Sequence, residues 1–134
     1  MTIITETISE CKELCKKIVT LDSGIKFFGI INERGRFIIG HSKKDVKFLV
    51  NKKDREMLFM EAVLRMRMRN DFDQTMGPVD FTITYRHNVV IMKIPVGKSI
   101  FYLSAEKKFD FCKIPFQISD ILKRNKNLCN LLDG

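Results

Sequence analysis

Apolar residues recur along this chain with the period of a helix in some segments and of a strand in others. The longest regular pattern runs from Asn51 to Gln74. This stretch contains no glycine or proline, and its apolar residues recur at helical spacing. They fall on two stripes, with Met57, Met60, Leu64 and Met68 on the first and Phe59, Val63 and Met66 on the second. At about 100° per residue, the second stripe lies roughly 120–150° around the helix from the first. Because a helix on one sheet needs only one apolar stripe, we expect the sheet to cover the first stripe and a partner to cover the second.

Shorter segments on either side of this long helix predict the remaining elements. Helices are predicted over 7–20 and from Pro115 onwards, and strands over 25–31, 36–41, 79–86, 89–96 and 99–105. The turn between the first two strands needs a positive φ, which Gly35 supplies, and the Asn32 side chain can bond back to its own backbone. Asn51 can cap the long helix. The order α-β-β-α-β-β-β-α predicts one α/β (α+β) domain over 1–134, with a five-stranded antiparallel sheet and helices on both faces.

Composition narrows the class of protein. The 134 residues, of which 45% are hydrophobic and 30% charged, suit one globular domain with one core. No run approaches the ~18 apolar residues that a membrane span needs. The first residues lack the basic segment of a signal peptide. We therefore expect a cytoplasmic protein without a membrane association.

A net charge of +8 and a pI near 9.5 raise the possibility of an anionic partner such as nucleic acid. The basic residues are scattered over several segments, however, and acidic residues are interleaved with them. This distribution favours a solvated basic surface over a dedicated nucleic-acid site. A basic nucleic-acid-binding accessory protein stays open as an alternative.

The residues that most often carry catalysis or metal binding form no recognised motif here. Cys11 and Cys15 are one helical turn apart, and with Cys112 and Cys129 they favour buried free thiols over a metal site. His41 and His87 are the only histidines, and no motif places a nucleophile beside either. Glycine-rich phosphate loops are absent from the sequence. We therefore predict no catalytic residue, no metal and no cofactor, and a protein that is not an enzyme.

Three sets of residues are candidates for binding. The predicted partner and dimer contacts are Phe59, Ala62, Val63 and Met66 on the long helix and Thr82 and Thr84 on the third strand. Arg65 and Arg69 share a helix face, either paired with Glu61 and Asp73 or forming a ledge for an acidic partner or a nucleotide phosphate. Phe109 and Phe111, in the charged loop 106–113, either tuck into a sheet edge or cover a small-molecule pocket. If the second stripe is a dimer contact, Val63→Asp should split the dimer without unfolding each half.

The order of elements and the first hairpin, Gly29-Ile-Ile-Asn-Glu-Arg-Gly-Arg-Phe-Ile-Ile-Gly40, resemble the roadblock (dynein light chain) family. That family shares its architecture with profilin-like and longin-like modules. The resemblance implies a dimer built from the second helix and the third strand, and a role in regulating or scaffolding small GTPases. The arginines at 65, 67 and 69 depart from what the family requires. The chain is also similar to small archaeal proteins without an assigned activity, at residues 56–61, 64–69, 77–78, 85–86 and 104–107.

These observations lead to one principal hypothesis and two alternatives. The principal hypothesis is a non-enzymatic, homodimeric protein-interaction module of roadblock type that acts in signalling or scaffolding, with a small GTPase as a possible partner. The first alternative is a small-molecule sensor with a pocket under loop 106–113. The second is the nucleic-acid accessory protein described above.

Overall fold

The predicted order of elements is confirmed in a computed structural model, which describes residues 2–44, 49–125 and 127. The elements are α1 (Thr2–Val19), β1 (Ile25–Ile31), β2 (Phe37–Ser42), α2 (Lys52–Asn70), a four-residue α3 (Asp73–Met76), β3 (Thr82–Tyr85), β4 (Val90–Val96), β5 (Ser99–Ala105) and α4 (Ile114–Arg124). The helical extension predicted through Leu128 and Leu131 lies outside the described residues.

The five strands form one antiparallel sheet, as predicted, and their order in it is β2-β1-β5-β4-β3. The two strands that are apolar on both faces, β1 and β5, lie next to each other, with Phe28 opposite Leu103. Each is also paired on its other side, β1 with β2 and β5 with β4. Strands that are covered on both faces need apolar residues at successive positions, which explains the composition of β1 and β5.

The core is divided by the sheet into two layers. On one face, α1 and α4 pack on the sheet, and this layer contains the fully buried Phe28, Leu103 and Ile118. On the other face, α2 packs against Ile31, Ile100 and Tyr102. Burying a side chain of this size contributes about 1.5–3 kcal/mol. Helices therefore cover both faces, as the sequence predicts.

The turn between β1 and β2 is held by the contacts that its sequence predicts. The Asn32 Oδ1 accepts hydrogen bonds from the backbone N–H groups of Arg34 and Arg36, at 2.9 and 3.1 Å. Gly35 has a φ of 76°. A Cβ at this glycine would lie 3.0 Å from the Met60 Cα, so the turn packs directly against α2.

Element boundaries differ from the predictions by more than one residue in three elements. The first helix begins at Thr2 rather than Thr7, because no glycine or proline before Thr7 stops it. The long helix has its predicted cap, with the Asn51 Oδ1 accepting from the Asp54 N–H at 2.8 Å, but it ends at Asn70. Strand β3 is limited to four residues, because in its register the preceding residues would face Pro95, which has no N–H to donate.

The two stripes of the long helix are reversed relative to the prediction. The residues of α2 that face the sheet are Phe59, Ala62, Val63 and Met66, each at most 8% exposed. The stripe expected to meet the sheet is exposed instead, with Met57 63%, Met60 43%, Leu64 51% and Met68 70% accessible. The four helix residues predicted as partner contacts are therefore enclosed within the protomer, although the helix still presents an apolar stripe to its surroundings.

This reversal changes the expected effect of Val63→Asp. Because Val63 is fully buried against the sheet, a carboxylate there has no water and no partner, and we expect the free energy of unfolding to fall by more than about 3 kcal/mol. Leu64→Asp, one residue further along the helix, should keep the native circular dichroism spectrum. Urea titration of both variants tests the assignment. A folded Val63→Asp protein beside an unfolded Leu64→Asp protein would contradict it.

Candidate interaction surface and basic cleft

The exposed side of α2 carries a row of apolar side chains. We call Met57, Met60, Leu64 and Met68 the α2 stripe. Single exposed apolar residues are ordinary on protein surfaces, but a contiguous row on one helix marks a surface that another molecule can cover. Methionine side chains are flexible and polarizable, so such a row adapts to the shape of a partner.

Strand β3 provides a second surface on the same face of the sheet. In the sheet formed by the described residues, β3 is a terminal strand. Its Thr82 and Thr84 lie opposite Lys93 and Ile91 of β4, and Ile91 belongs to the layer that packs on α2. A terminal strand presents backbone N–H and C=O groups that a further strand can pair with. The predicted contacts Thr82 and Thr84 are thus on the α2 face, at the sheet edge.

The arginines of α2 divide between two directions. Arg65 pairs with Glu61, as one of the two predictions for it proposed, with 3.3 Å between Nε and Oε1. Both side chains are at least half exposed, so this pair contributes at most about 1 kcal/mol. Arg67 is directed to the other side of the helix, where its Nη2 donates to the Glu33 carbonyl at 2.9 Å.

Arg65 and Arg69 both act on Lys93, which lies next to the edge strand. Burial is the main cause that lowers the pKa of Lys93, and Glu61 opposes it. The positive charges of Arg69 and Arg65 lower that pKa further. Arg65 and Arg69 of α2 thus interact electrostatically with Lys93 of β4, which lies opposite Thr82 of β3, and Glu61 interacts with the same group; we call the three cations the cationic ledge.

The loop at 106–113 packs on the face of the sheet away from α2. Phe109 is 2% exposed within the core layer beneath α1 and α4. Phe111 packs edge-on against Tyr85 of β3, with 5.8 Å between ring centroids. These phenylalanines tuck into the core and the sheet edge, which is the alternative to their covering a pocket.

A cavity lined by described residues lies on the other face, under the first half of α2. It is a cleft of about 1050 Å³ between this helix, the sheet, the β1–β2 turn and the β3–β4 turn. Among the described residues that line it, the basic ones are Lys26, Arg34, Arg36, Lys52, Arg55 and Arg86, and the acidic one is Glu56. The whole chain has 24 basic and 16 acidic residues, so the cleft is far more basic than the average surface. We call it the basic cleft.

Aromatic rings form much of the apolar lining of the basic cleft. Phe59 meets Tyr102 edge-on, with 5.0 Å between ring centroids, and Phe27 lies 6.0 Å from Phe37. Burial raises the pKa of Tyr102 to about 12, with a smaller contribution from Glu61. The rings of Phe27 and Phe37 occupy the space beside Gly29, where an added Cβ would meet them at 2.6 and 3.0 Å. Gly29 is therefore needed to leave room for these two rings. Together with Phe59 and Tyr102, we call them the aromatic wall.

Sequence reasoning missed the basic cleft because its cations come from four separate segments of the chain. The charge run that each segment carries looks like an ordinary solvated surface when it is considered alone. His87 also lines the cleft, whereas His41 lies in β2 and is not among its lining residues. Only the folded arrangement of the two turns and the helix brings these groups together.

Over the described part of the chain the cysteines are free thiols, as predicted, but the prediction that they are buried is wrong for Cys112, which lies at an exposed position of loop 106–113. Cys11 and Cys15 are buried and Cys112 is exposed, all three as free thiols. Cys129 lies outside the described residues. Among residues 2–44, 49–125 and 127, no group of three or more potential ligands is placed to hold a metal ion. Over the same residues, no helix combines the length and hydropathy needed to cross a membrane.

Solved structures with the same arrangement of sheet and helices are roadblock domains. The roadblock/LC7 domain from Streptomyces avermitilis matches with a TM-score of 0.63 and 8% identity, over 85% of this chain and 95% of that chain. The gliding protein MglB from Thermus thermophilus matches with a TM-score of 0.70 and 8% identity, over 88% and 89%. An MglB structure described as a tetrameric arrangement gives 0.71 and 7% identity, over 88% of each chain.

This chain therefore has the roadblock fold, which confirms the resemblance noted in its first hairpin and element order. At identities of 7–8% the likeness establishes the fold alone. Residues 3–130 match a protein-family model, and the chain belongs to that family, DUF6659, which is described as a family of unknown function. No curated protein sequence matches it.

The burial of the cysteines predicts a sharp difference in their reactivity. Burial, with a smaller contribution from Glu10, raises the pKa of Cys11 to about 11, so its reactive thiolate is scarce at neutral pH. In the native protein we expect iodoacetamide to alkylate Cys112 first, and Cys11 and Cys15 only after unfolding. Peptide mapping by mass spectrometry measures this order. Equal labelling of Cys11 and Cys112 in the native protein would contradict the burial of the Cys11 side chain of α1.

The same pKa shift predicts how stability depends on alkaline pH. Because the thiol of Cys11 ionises near pH 9 in the unfolded chain and near pH 11 in the folded one, stability should fall as the pH rises through this interval. Urea titrations at several pH values measure the decline. Cys11→Ala should show a shallower decline, and an unchanged slope in that variant would rule out Cys11 as its source.

Proposed function

We propose that this protein is a non-enzymatic, homodimeric protein-interaction module of roadblock type, which acts in signalling or as a scaffold in the cytoplasm. The observation that carries the proposal is the α2 stripe, four exposed apolar residues on a helix whose opposite side is already packed on the sheet. A second copy of this chain would cover that row and remove its apolar surface from water.

The geometry of β3 favours a particular mode of pairing. Two copies related by a two-fold axis perpendicular to the sheet would join β3 to β3 in antiparallel fashion, as the sheet is already built. The two α2 helices would then lie side by side on one face of a continuous ten-stranded sheet. Thr82 and Thr84 would lie at the new strand pair, and Leu64 and Met68, which point away from the sheet, would border the helix–helix contact. Each such apolar side chain, once fully buried, contributes about 1.5–3 kcal/mol.

Self-association of the same fold supports this proposal, since one MglB structure is described as a tetrameric arrangement. The cationic ledge of Arg65, Arg69 and Lys93 includes a residue opposite Thr82 of β3, so pairing would place the two ledges close to each other. A partner with an acidic surface would relieve the repulsion between them. A small GTPase with such a surface is the partner that we propose.

Leu64→Asp tests the dimer directly. A charge in the middle of the α2 stripe should convert the dimer to a monomer while the fold is kept, because Leu64 is half exposed in the protomer. Sedimentation equilibrium over a range of protein concentrations measures the mass. Ile8→Asp, the same type of change at an exposed position of α1, is the control and should leave the dimer intact. A wild-type protein that stays monomeric at high concentration would eliminate the proposal.

The partner is tested separately from the dimer. Small GTPases encoded in the same genome, loaded with GDP or with a non-hydrolysable GTP analogue, are titrated with the protein in a fluorescence polarisation assay. We expect binding that depends on the bound nucleotide and is weakened at least about tenfold by Arg65→Glu/Arg69→Glu. The control variant is Lys12→Glu/Lys16→Glu on α1. Binding to neither form of any GTPase would remove this partner and leave the dimer proposal standing.

A further inference from the structure

We propose that the basic cleft is a binding site for a small molecule that carries phosphate groups on a planar, apolar body, which is the chemistry of a nucleoside phosphate. The inference does not depend on the dimer. It stands on the coincidence, in one cavity, of a strongly one-sided charge and a wall of aromatic rings.

The charge of the cleft selects an anion. Its cations come from four segments: Lys26 from β1, Arg34 and Arg36 from the β1–β2 turn, Lys52 and Arg55 from α2, and Arg86 from the β3–β4 turn. Four of the six basic lining residues are arginines, whose planar guanidinium groups bind phosphate oxygens in pairs. One carboxylate ligand would neutralise a single positive charge. In the described lining, Lys26, Arg34, Arg36, Lys52 and Arg86 alone outnumber Glu56, which matches a group that carries several negative charges.

The aromatic wall selects the rest of the ligand. Phe59 and Tyr102 are buried at the base of the cleft, whereas Phe37 is 51% exposed and half of its ring is free for contact. Planar rings pack on such a surface by offset or edge-on stacking, and arginines can cover their outer faces. A free inorganic phosphate would use the cations and leave these rings unoccupied.

The dimensions of the cleft favour a small molecule over a polymer. Ligand sites generally enclose about 300–1,000 Å³, and the cleft has about 1050 Å³. Its described lining residues come from α2, from Leu49 and Val50 shortly before it, and from the sheet, the β1–β2 turn and the β3–β4 turn. A nucleic-acid strand needs a groove that is open at both ends, along which its backbone can continue.

Isothermal titration calorimetry in metal-free buffer tests this site with four probes: ATP, AMP, adenosine and pyrophosphate. ATP should bind most tightly and AMP more weakly. Adenosine lacks the charge and pyrophosphate lacks the ring, so each should bind at least about tenfold more weakly than ATP. Absence of ATP binding at millimolar concentration, or pyrophosphate binding as tight as that of ATP, would overturn the proposal.

Matched variants locate the binding in the cleft. Arg36→Glu/Arg86→Glu should weaken ATP binding at least about tenfold. Lys12→Glu/Lys123→Glu, which changes the net charge equally at exposed positions of α1 and α4, should stay within about twofold. Equal losses in the two variants would mean a general charge effect and would overturn the proposal. Circular dichroism confirms that each variant is folded.

A second pair of variants tests the aromatic wall. Phe37→Ala should weaken ATP binding and leave that of pyrophosphate unchanged. Phe116→Ala removes a comparably exposed ring, one that packs on Phe81 on the opposite face, and should change neither. An oligouridylate that binds more tightly than ATP, with affinity rising with its length, would identify a strand-binding groove and overturn the small-molecule site.

Discussion

The packing of α2 on the sheet determines which surfaces this protein presents. Val63 is fully enclosed, and the Phe59 ring meets Tyr102 edge-on. Because the residues that point to the sheet follow the helical period, the residues half a turn away must point outward, and these are Met57, Met60, Leu64 and Met68. The first residue of α2 to be buried is Phe59, and residues before it line the basic cleft. The packing of α2 on the sheet thus produces both the α2 stripe and the basic cleft.

Elements whose burial is uniform could be predicted from the sequence almost to the residue. Strands β1 and β5 are apolar on both faces, and both have the bounds that their composition predicts. The Asn32 and Gly35 turn and the Asn51 cap were also predictable, because each depends on local side-chain chemistry. The length of β3 could not be predicted in this way, because it depends on Pro95 in the neighbouring strand.

The orientation of the long helix could not be read from its periodicity alone. Two apolar stripes on opposite sides satisfy the same period, and periodicity does not say which of them meets the sheet. The sequence nevertheless contains a signal for the orientation of this helix. Counting Ala62 as apolar completes the i, i+3, i+4, i+7 pattern from Phe59 to Met66, and a small residue lets a helix approach closely. The basic cleft offered no comparable signal, because its cations are spread from position 26 to position 86.

Met60 belongs to two surfaces at once. It is one of the four exposed residues of the α2 stripe, and its side chain also lines the basic cleft, close to the Gly35 turn. A neighbouring subunit that immobilises this side chain would reshape the entrance to the cavity. Thermodynamic reciprocity then applies: whatever factor assembly imposes on ligand affinity, the ligand imposes on assembly. Through the Met60 side chain, assembly of the proposed dimer would then respond to the concentration of the ligand of the basic cleft.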